Sequence, residues 1–557
     1  MSGQKFFNKK SIISGLNRRG FLLRAGLLSS GIVLNACIKK LKPGNLAYAH
    51  IKGSLNGPDA KAGHVLRDKL PLPESSFNRK VKTLIVGGGI SGLSAARWLK
   101  KNGHNDFELL ELEQQTGGNS RSGKNAVSSF PLGAHYITIA NNGDHELISF
   151  MEECNIISHY ENGLPFYNEY ALCFDPEERL LINGQWQEGL VPEFGISLQD
   201  RDQIKRFFRL VDELKIAKGT DGKFIFDIPL ANSSADISYR KLDQISFKNY
   251  LKEKGFTSAC LLWYLEYCCK DDYGQKLHAV SAWAGLHYFA ARKGKAANAE
   301  SNAVLTWPEG NGWLMKQLAS SVSEHIRNSE MVCSITETPE GIVAKVLDLK
   351  SHKTYNILAE KVILTSPQYV NKKILGKIQR LTVDPSAFSY SPWLIANITV
   401  NALPPAKGAG LCWDNVAYNT ASVGYVNASH QSLNISETKK VFTYYLPLCD
   451  HDTRVTRLAA YARNYEQWLD IVLPEMEYMH PDITEHIEHI ELWIWGHGMI
   501  CPAPGFIWGK DRANALQPID DKLFFAHTDL SGISIFEEGF HQGIRAAKEV
   551  LLSYGVQ

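Results

Sequence analysis

Residues 82–103 read Lys82-Thr83-Leu84-Ile85-Val86-Gly87-Gly88-Gly89-Ile90-Ser91-Gly92-Leu93-Ser94-Ala95-Ala96-Arg97-Trp98-Leu99-Lys100-Lys101-Asn102-Gly103. An apolar run, Thr83 to Val86, predicts a buried strand that enters a G-x-G-x-x-G turn at Gly87, Gly89 and Gly92. A helix rich in small residues then leaves the turn. Glycines there let the backbone turn tightly and approach a pyrophosphate, whose charge is favoured at a helix N-terminus. A second apolar run, Phe107 to Leu110, ends at Glu111, twenty-four residues after Gly87. A carboxylate at about that distance is placed to meet a ribose hydroxyl. The motif alone is weak, but strand, turn, helix and acidic residue together predict a dinucleotide site in an α/β fold.

Gly117 and Gly118 follow Glu111 at six and seven residues, within Glu113-Gln114-Gln115-Thr116-Gly117-Gly118-Asn119-Ser120-Arg121-Ser122-Gly123. This stretch resembles the second glycine motif of the flavin-containing amine oxidase superfamily. In that family an arginine follows the glycine pair and contacts the pyrophosphate. Asn119 stands there in this chain, which makes Arg121 the expected substitute. The resemblance continues in Trp307-Pro308-Glu309-Gly310-Asn311-Gly312-Trp313-Leu314, in Met331-Val332-Cys333-Ser334-Ile335 and in Glu360 to Pro367. It ends in Lys522 to Asp529 and the glycine-opened helix from Glu538-Gly539 to Ala547. It implies FAD as cofactor, Val332 beside the adenine, Asp529 on a ribityl hydroxyl and Gly539 in the helix facing the flavin ring. The implied fold is α/β: an FAD-binding Rossmann-like domain of the p-hydroxybenzoate-hydroxylase and amine-oxidase type, with an inserted α+β substrate domain.

These motifs assign residues 80–165, 300–380 and 495–557 to the FAD domain and leave 166–299 and 381–494 as the substrate domain. The first insertion predicts helices at 202–215, 247–254 and 279–291, where apolar residues recur at three- and four-residue steps. The second contains apolar runs at 393–400 and 440–446 that predict strands.

Residues 1–37 read as an address rather than as part of the fold. Basic residues precede Asn17-Arg18-Arg19-Gly20-Phe21-Leu22, an apolar stretch follows, and Leu34-Asn35-Ala36-Cys37 closes it. The paired arginines resemble a twin-arginine signal, and the last four residues resemble a lipobox in which Cys37 is lipidated. The stretch Phe21 to Leu34, apolar apart from Arg24, is fourteen residues long, too few to span a bilayer. The expected location is therefore the periplasmic side of a bacterial membrane, with membrane contact only through a lipid on Cys37. Residues 38–79, rich in Lys, Gly, Pro and Ser, read as a tether.

The 60 basic and 58 acidic residues of the 557-residue chain nearly cancel, with no basic run, so no nucleic-acid partner is expected. Ten scattered cysteines without a C-x-x-C pair argue against zinc ribbons and thioredoxin-like chemistry. His480, His486 and His489 lie in a charged stretch without cysteine support, so no metal is expected there.

Catalytic candidates rest on looser matches. In many amine oxidases a substrate-domain lysine holds a water near the flavin; in Ser391-Pro392-Trp393-Leu394-Ile395-Ala396-Asn397 that position falls on Asn397. His497, in Trp495-Gly496-His497-Gly498, falls near a cysteine that some family members bond to the flavin; it either forms such a bond, with Cys501 as the other candidate, or lines the cleft. His135, in Gly133-Ala134-His135-Tyr136, either contacts the ring or substrate or is a satisfied histidine. Asp271 and Asp272, with Trp283 and His287 one helical turn apart, either face a cationic amine or are a helix cap and core. The leading expectation is an exported FAD-dependent oxidoreductase acting on a small organic substrate, an amine first. Its electron acceptor is oxygen or a redox partner. The alternatives are a desaturase or isomerase of the same fold, favoured by Asn397, and a lipoprotein that holds FAD without catalysis.

Overall fold

Thr83, Leu84 and Ile85 are wholly buried, as residues of a strand flanked on both sides must be. In the computed structural model, which describes residues 48–68, 71–376, 378, 383–433 and 438–556, they end a longer strand, Ser75–Val86. Parallel neighbours lie on either side: Phe107–Glu111, then Ile326–Asn328, on one; Thr354–Leu364, then Leu523–Phe525, on the other. Thr354–Leu364 also pairs antiparallel with Gly341–Asp348, which pairs with Glu330–Thr338. A short antiparallel ribbon thus branches from the parallel sheet and carries Val332.

The helix Ile90–Lys101 buries Ser91, Gly92, Ser94, Ala95 and Ala96. Their small side chains let the last helix, Phe536–Ser553, approach closely. Ser91 Oγ donates to the Gly539 carbonyl (2.8 Å) and Ser94 Oγ to that of Phe540 (2.9 Å). Gly103, at φ +80°, turns the chain just past the first helix.

The second sheet has eight strands, in the order Lys52–Asn56, Ile487–Ile500, Tyr390–Val400, Lys440–Pro447, Tyr425–Asn427, Asp414–Ala417, Glu178–Ile182, Gln185–Glu188. Helices Leu198–Ile216, Phe247–Glu253 and Ala282–Ala290 lie close to the expected spans, and a further helix, Ala259–Tyr273, completes this half. Ser197 and Asp200 close a capping box at the first of them.

Three boundaries differ from expectation. The described part of the expected tether is structured: Lys52–Asn56 pairs in parallel with Ile487–Ile500, and Asp59 caps the helix Ala60–Arg67. The strand is polar and on a sheet edge, so its order comes from a partner more than 400 residues away, which composition does not encode. Ile487–Ile500 crosses the expected border at 494/495 and belongs wholly to the substrate sheet. Glu178–Ile182 and Gln185–Glu188 bring strands into an insertion read as largely helical. The expected signal segment, including Cys37, lies outside the described residues.

A Cβ at Gly543 would lie 2.1 Å from the Ser91 carbonyl oxygen, inside the contact between the two helices. Gly543→Ala is expected to cost about 1–3 kcal/mol by forcing them apart. A lowered melting temperature would show it; an unchanged one would mean that the contact yields freely.

Candidate active site

Between the two sheets runs a cavity of about 460 Å³. At one end it is lined by Gly87, Gly88, Gly89, Glu111, Gly117, Gly118 and Val332. Gly87 has φ +109°, and a Cβ there would lie 2.8 Å from Thr365 Oγ1. Gly92 does not line the cavity; a Cβ on it would come 1.9 Å from the Gly87 carbonyl oxygen, so its place is inside the turn. Gly89 caps the helix Ile90–Lys101, and a Cβ there would meet nothing within 4 Å. The helix N-terminus therefore opens onto space that suits a phosphate.

Glu111 Oε2 accepts from the Gly88 N–H (2.6 Å) and Oε1 from the Glu113 N–H (2.8 Å). Burial raises its carboxyl despite those two bonds. Further along, Asp529 is fully buried and accepts from the Gln368 N–H (2.9 Å) and the Tyr390 hydroxyl (2.6 Å). Burial alone would raise its carboxyl, but the His527 ring and these bonds hold it below the usual carboxylate value.

Besides Gly92, two expected cofactor residues stand off the wall. Arg121 is not on the cavity wall: it pairs with Glu113 (3.1 Å) and lies over the Trp493 and Trp495 rings, at 5.1 and 5.5 Å. Its stem packs on Gly117, where a Cβ would sit 2.7 Å from Arg121 Cγ, so it turns behind the wall. Asn119 does line the cavity and donates to the Gly498 carbonyl. Gly539 is also off the wall. Its role is the close helix contact, because a Cβ there would sit 2.4 Å from Ile90 Cγ2, while Ser534 to Glu537 of the same segment do line the cavity.

The far end gathers side chains from separate elements. Asp271 and Asp272, at the end of Ala259–Tyr273, line it with Tyr136, Trp393, Tyr445 and Trp495. Tyr136 donates to Asp271 Oδ2 (3.1 Å), and Asp272 pairs with Arg292 (2.6 Å). Burial and then the neighbouring Asp272 charge raise the Asp271 carboxyl, to about 7. The Tyr445 hydroxyl donates to the Gly133 carbonyl (2.9 Å), which orients its ring. The Trp393 indole N–H has no hydrogen-bond partner among the described residues.

His135 lines this end, with Tyr445 4.5 Å and Trp413 5.6 Å away, centroid to centroid. His497 lines the cavity nearer Asp529, stacked on Tyr369 at 4.2 Å. Burial lowers both imidazoles to about 4. Asn397 is off the wall: its Oδ1 accepts from Thr443 Oγ1 (2.7 Å), opposite it in the sheet. Along its strand the cavity is lined by Tyr390, Trp393 and Ile395, and Asn397 lies two residues, about 7 Å, beyond the last of them. Trp283 and His287 are core, stacked 5.0 Å apart, with His287 Nε2 3.0 Å from the Asp227 carbonyl oxygen. Tyr136, Trp393, Tyr445, Trp495 and Arg292 were not singled out from sequence. Tyr136 and Trp495 flank residues that were; for the other three no local pattern marks the site.

The family model for flavin containing amine oxidoreductase matches residues 90–551. The chain belongs to that family. It is an FAD-dependent oxidoreductase, and the residues at the cavity fit the group: a helix N-terminus open to the pyrophosphate, Glu111 for the ribose and Asp529 for a ribityl hydroxyl. Solved structures agree in fold. Wild-type putrescine oxidase bound to putrescine superposes with a TM-score of 0.60 at 15% identity, over 85% of this chain and 100% of that one. Cyclohexylamine oxidase from Brevibacterium oxydans IH-35A gives 0.59 at 14% identity, over 85% and 99%. A CLA-producing fatty acid isomerase from P. acnes gives 0.57 at 14% identity, over 84% and 97%.

Two predictions follow from this geometry. Glu111→Gln replaces one acceptor oxygen by a donor and is expected to weaken FAD binding about 10- to 100-fold; titration of the apoprotein with FAD reads it, and an unchanged affinity would remove Glu111 from the site. The second concerns acid. His135 and His497 are lowered to about 4, and the buried His287 and His480 to about 3, from an ordinary 6.5. The unfolded chain takes up these protons first, so the stability they contribute is complete above 6.5 and is lost as pH falls. Raised carboxyls such as Glu538 pull the other way, so the histidine contribution is read by difference: the melting-temperature gap between wild type and His287→Gln should narrow as pH falls below about 6.5; an unchanged gap down to about pH 5 would contradict it.

Proposed function

We propose that this flavoprotein oxidises a small cationic amine, bound at the end of the cavity formed by Asp271, Asp272 and their aromatic neighbours. The observation that carries this reading is the pair of carboxylates on the wall beside Tyr136, Tyr445, Trp393 and Trp495. Arg292 offsets one of the two charges, which leaves a net negative site able to hold one ammonium. Aromatic faces add cation–π attraction and enclose the alkyl portion. Bound FAD supplies a two-electron acceptor for the hydride. The protein's own part is to orient the carbon bearing the amine, exclude water with aromatic walls and manage the ammonium proton.

A second reading, desaturation or isomerisation of an uncharged substrate, is favoured by one observation. No lysine lines the cavity among the described residues, so the water-holding lysine of many amine oxidases has no counterpart on the wall. The carboxylates weigh against it, because an apolar substrate would leave them unpaired.

Anaerobic mixing of the holoenzyme with short mono- and diamines should bleach the oxidised-flavin absorbance. Bleaching by a fatty acid and by no amine would replace the first reading with the second. Flavin reduced by neither class, together with an unchanged double-bond pattern in the recovered fatty acid, would leave an FAD-holding protein without this chemistry. Because Asn397 lies off the wall, Asn397→Ala should change the bleaching rate less than about threefold once the fold is intact.

We further propose that the chain is exported by its paired arginines and anchored through Cys37. Cell fractionation of Cys37→Ser should move the protein from the membrane to the soluble fraction. The same distribution as the unaltered chain would rule out the lipid.

A further inference from the structure

We propose that Asp271 is a catalytic residue: it takes the ammonium proton of the bound amine, so that the amine is neutral when its C–H bond is broken. The inference rests on the amine reading above and goes beyond binding to a defined proton transfer.

Three observations single out Asp271 from its neighbour. Both carboxylates line the cavity, but Asp272 is buried and committed to Arg292 at 2.6 Å, whereas Asp271 is half-buried and, among the described residues, accepts one hydrogen bond, from the Tyr136 hydroxyl on Oδ2. Asp271 therefore keeps Oδ1 for a ligand. The groups that face Asp271 also bias it toward holding a proton. Asp272, Arg292 and Tyr288 stand on the helix side, Tyr136 and Tyr445 on the strand side, and Cys268, Tyr267 and Tyr264 further back along its own helix. Behind them the buried Asp414, held by the Tyr267 hydroxyl at 3.1 Å, is raised well above the usual carboxylate value. One positive guanidinium among several carboxyls makes a full set of negative charges costly, and burial raises the cost. An ammonium entering this end relieves that cost, and giving its proton to Asp271 relieves it as well.

The step balances without an oxidant. R–NH3+ and Asp271–COO− become R–NH2 and Asp271–COOH; one N–H bond breaks, one O–H bond forms, and no electrons leave the pair. A nitrogen lone pair is thereby freed, without which the adjacent carbon cannot release hydride. His135 and His497 are poorer acceptors, because burial lowers both imidazoles to about 4, whereas burial and the Asp272 charge raise the Asp271 carboxyl.

The test is the pH profile of flavin reduction by the best amine of the panel, measured with holoenzyme. Wild type should give a bell in kcat/KM, rising through the Asp271 range and falling near the pKa of the alkyl ammonium, about 10. Asp271→Asn should lose the acid limb, rise monotonically toward about pH 10 and be slower by about 100-fold or more at pH 7. Asp271→Glu should restore a limb. Tyr136→Phe removes the hydrogen bond that favours the ionised form, so it should move the acid limb to higher pH. A further readout needs no turnover: a tertiary-alkyl amine, which has no α C–H, should raise a carboxylic-acid band in the infrared difference spectrum of wild type and not of Asp271→Asn. If an amine bleaches wild type but the limb stays in place in Asp271→Asn, or if Tyr136→Phe leaves it unmoved, Asp271 is not the acceptor and the amine reading stands. If no amine bleaches wild type, the amine reading itself fails.

Discussion

The fold depends on the close contact between the first helix of the nucleotide domain and the last helix of the chain. Ser91 and Ser94 donate to the carbonyls of Gly539 and Phe540 across more than 400 residues of sequence. A side chain at Gly539 or Gly543 would fill the space between them. That contact sets both helix N-termini on one cavity: Gly89 and Ile90 at one point of its wall, Ser534 to Glu537 at another. Each N-terminus carries a partial positive charge, so the contact fixes two points at which a ligand's negative character is favoured. The parallel sheet beneath supplies Glu111 and, through its branch, Val332, at a spacing that strand geometry fixes.

Charge is distributed along the cavity in a definite order. The nucleotide end offers backbone N–H groups and hydroxyl acceptors. The far end offers carboxylates in a frame of rings, with Arg292 as the nearest compensating cation. Unpaired buried charge is expensive, and burial limits it by lowering the His135 and His497 imidazoles and by raising the Asp271 carboxyl. The same arrangement makes a cationic ligand the best complement to this end.

How far the sequence could be read follows from how local each constraint is. Residues 87–89, 111 and 117–118 come from one strand, turn, helix and second strand close together in sequence, so pattern and spacing were enough to bring them to one end of the cavity. The far end is assembled from residues 136, 271, 393, 445 and 495, and no local pattern couples them. Asn397 shows the difference. A linear offset placed it at the flavin; it shares a strand face with Trp393 and Ile395, but it lies two residues, about 7 Å, beyond the last residue of that strand on the cavity wall. The strand therefore presents Trp393 and Ile395 to the cavity and leaves Asn397 facing Thr443. Arg121 failed for another reason: a nearby carboxylate, Glu113, and two indole faces compete for its guanidinium, and a sequence does not show which partner wins. The edge strand Lys52–Asn56 was missed because its stabilisation is a hydrogen-bonded ladder to a distant partner and not an apolar pattern.

The opposed polarity of the two ends also limits what can bind where. An anionic or dinucleotide ligand placed at the Asp271 end would meet raised carboxyls and lose the helix termini. An ammonium placed at the Gly89 end would face N–H groups pointing toward it. Both exchanges are unfavourable by the same Coulombic argument, since within a low-dielectric cavity a reversed contact costs more than it would in water. Aromatic side chains strengthen the separation. Tyr445 and Trp495 are tied to the backbone carbonyls of Gly133 and Leu132, so the rings that wall off the acidic end are fixed by the same segment that passes from the glycine pair toward His135. The carbonyls of Leu132 and Gly133 thus hold two rings of the acidic end from a segment that itself runs along the cavity wall at Gly133 to Tyr136.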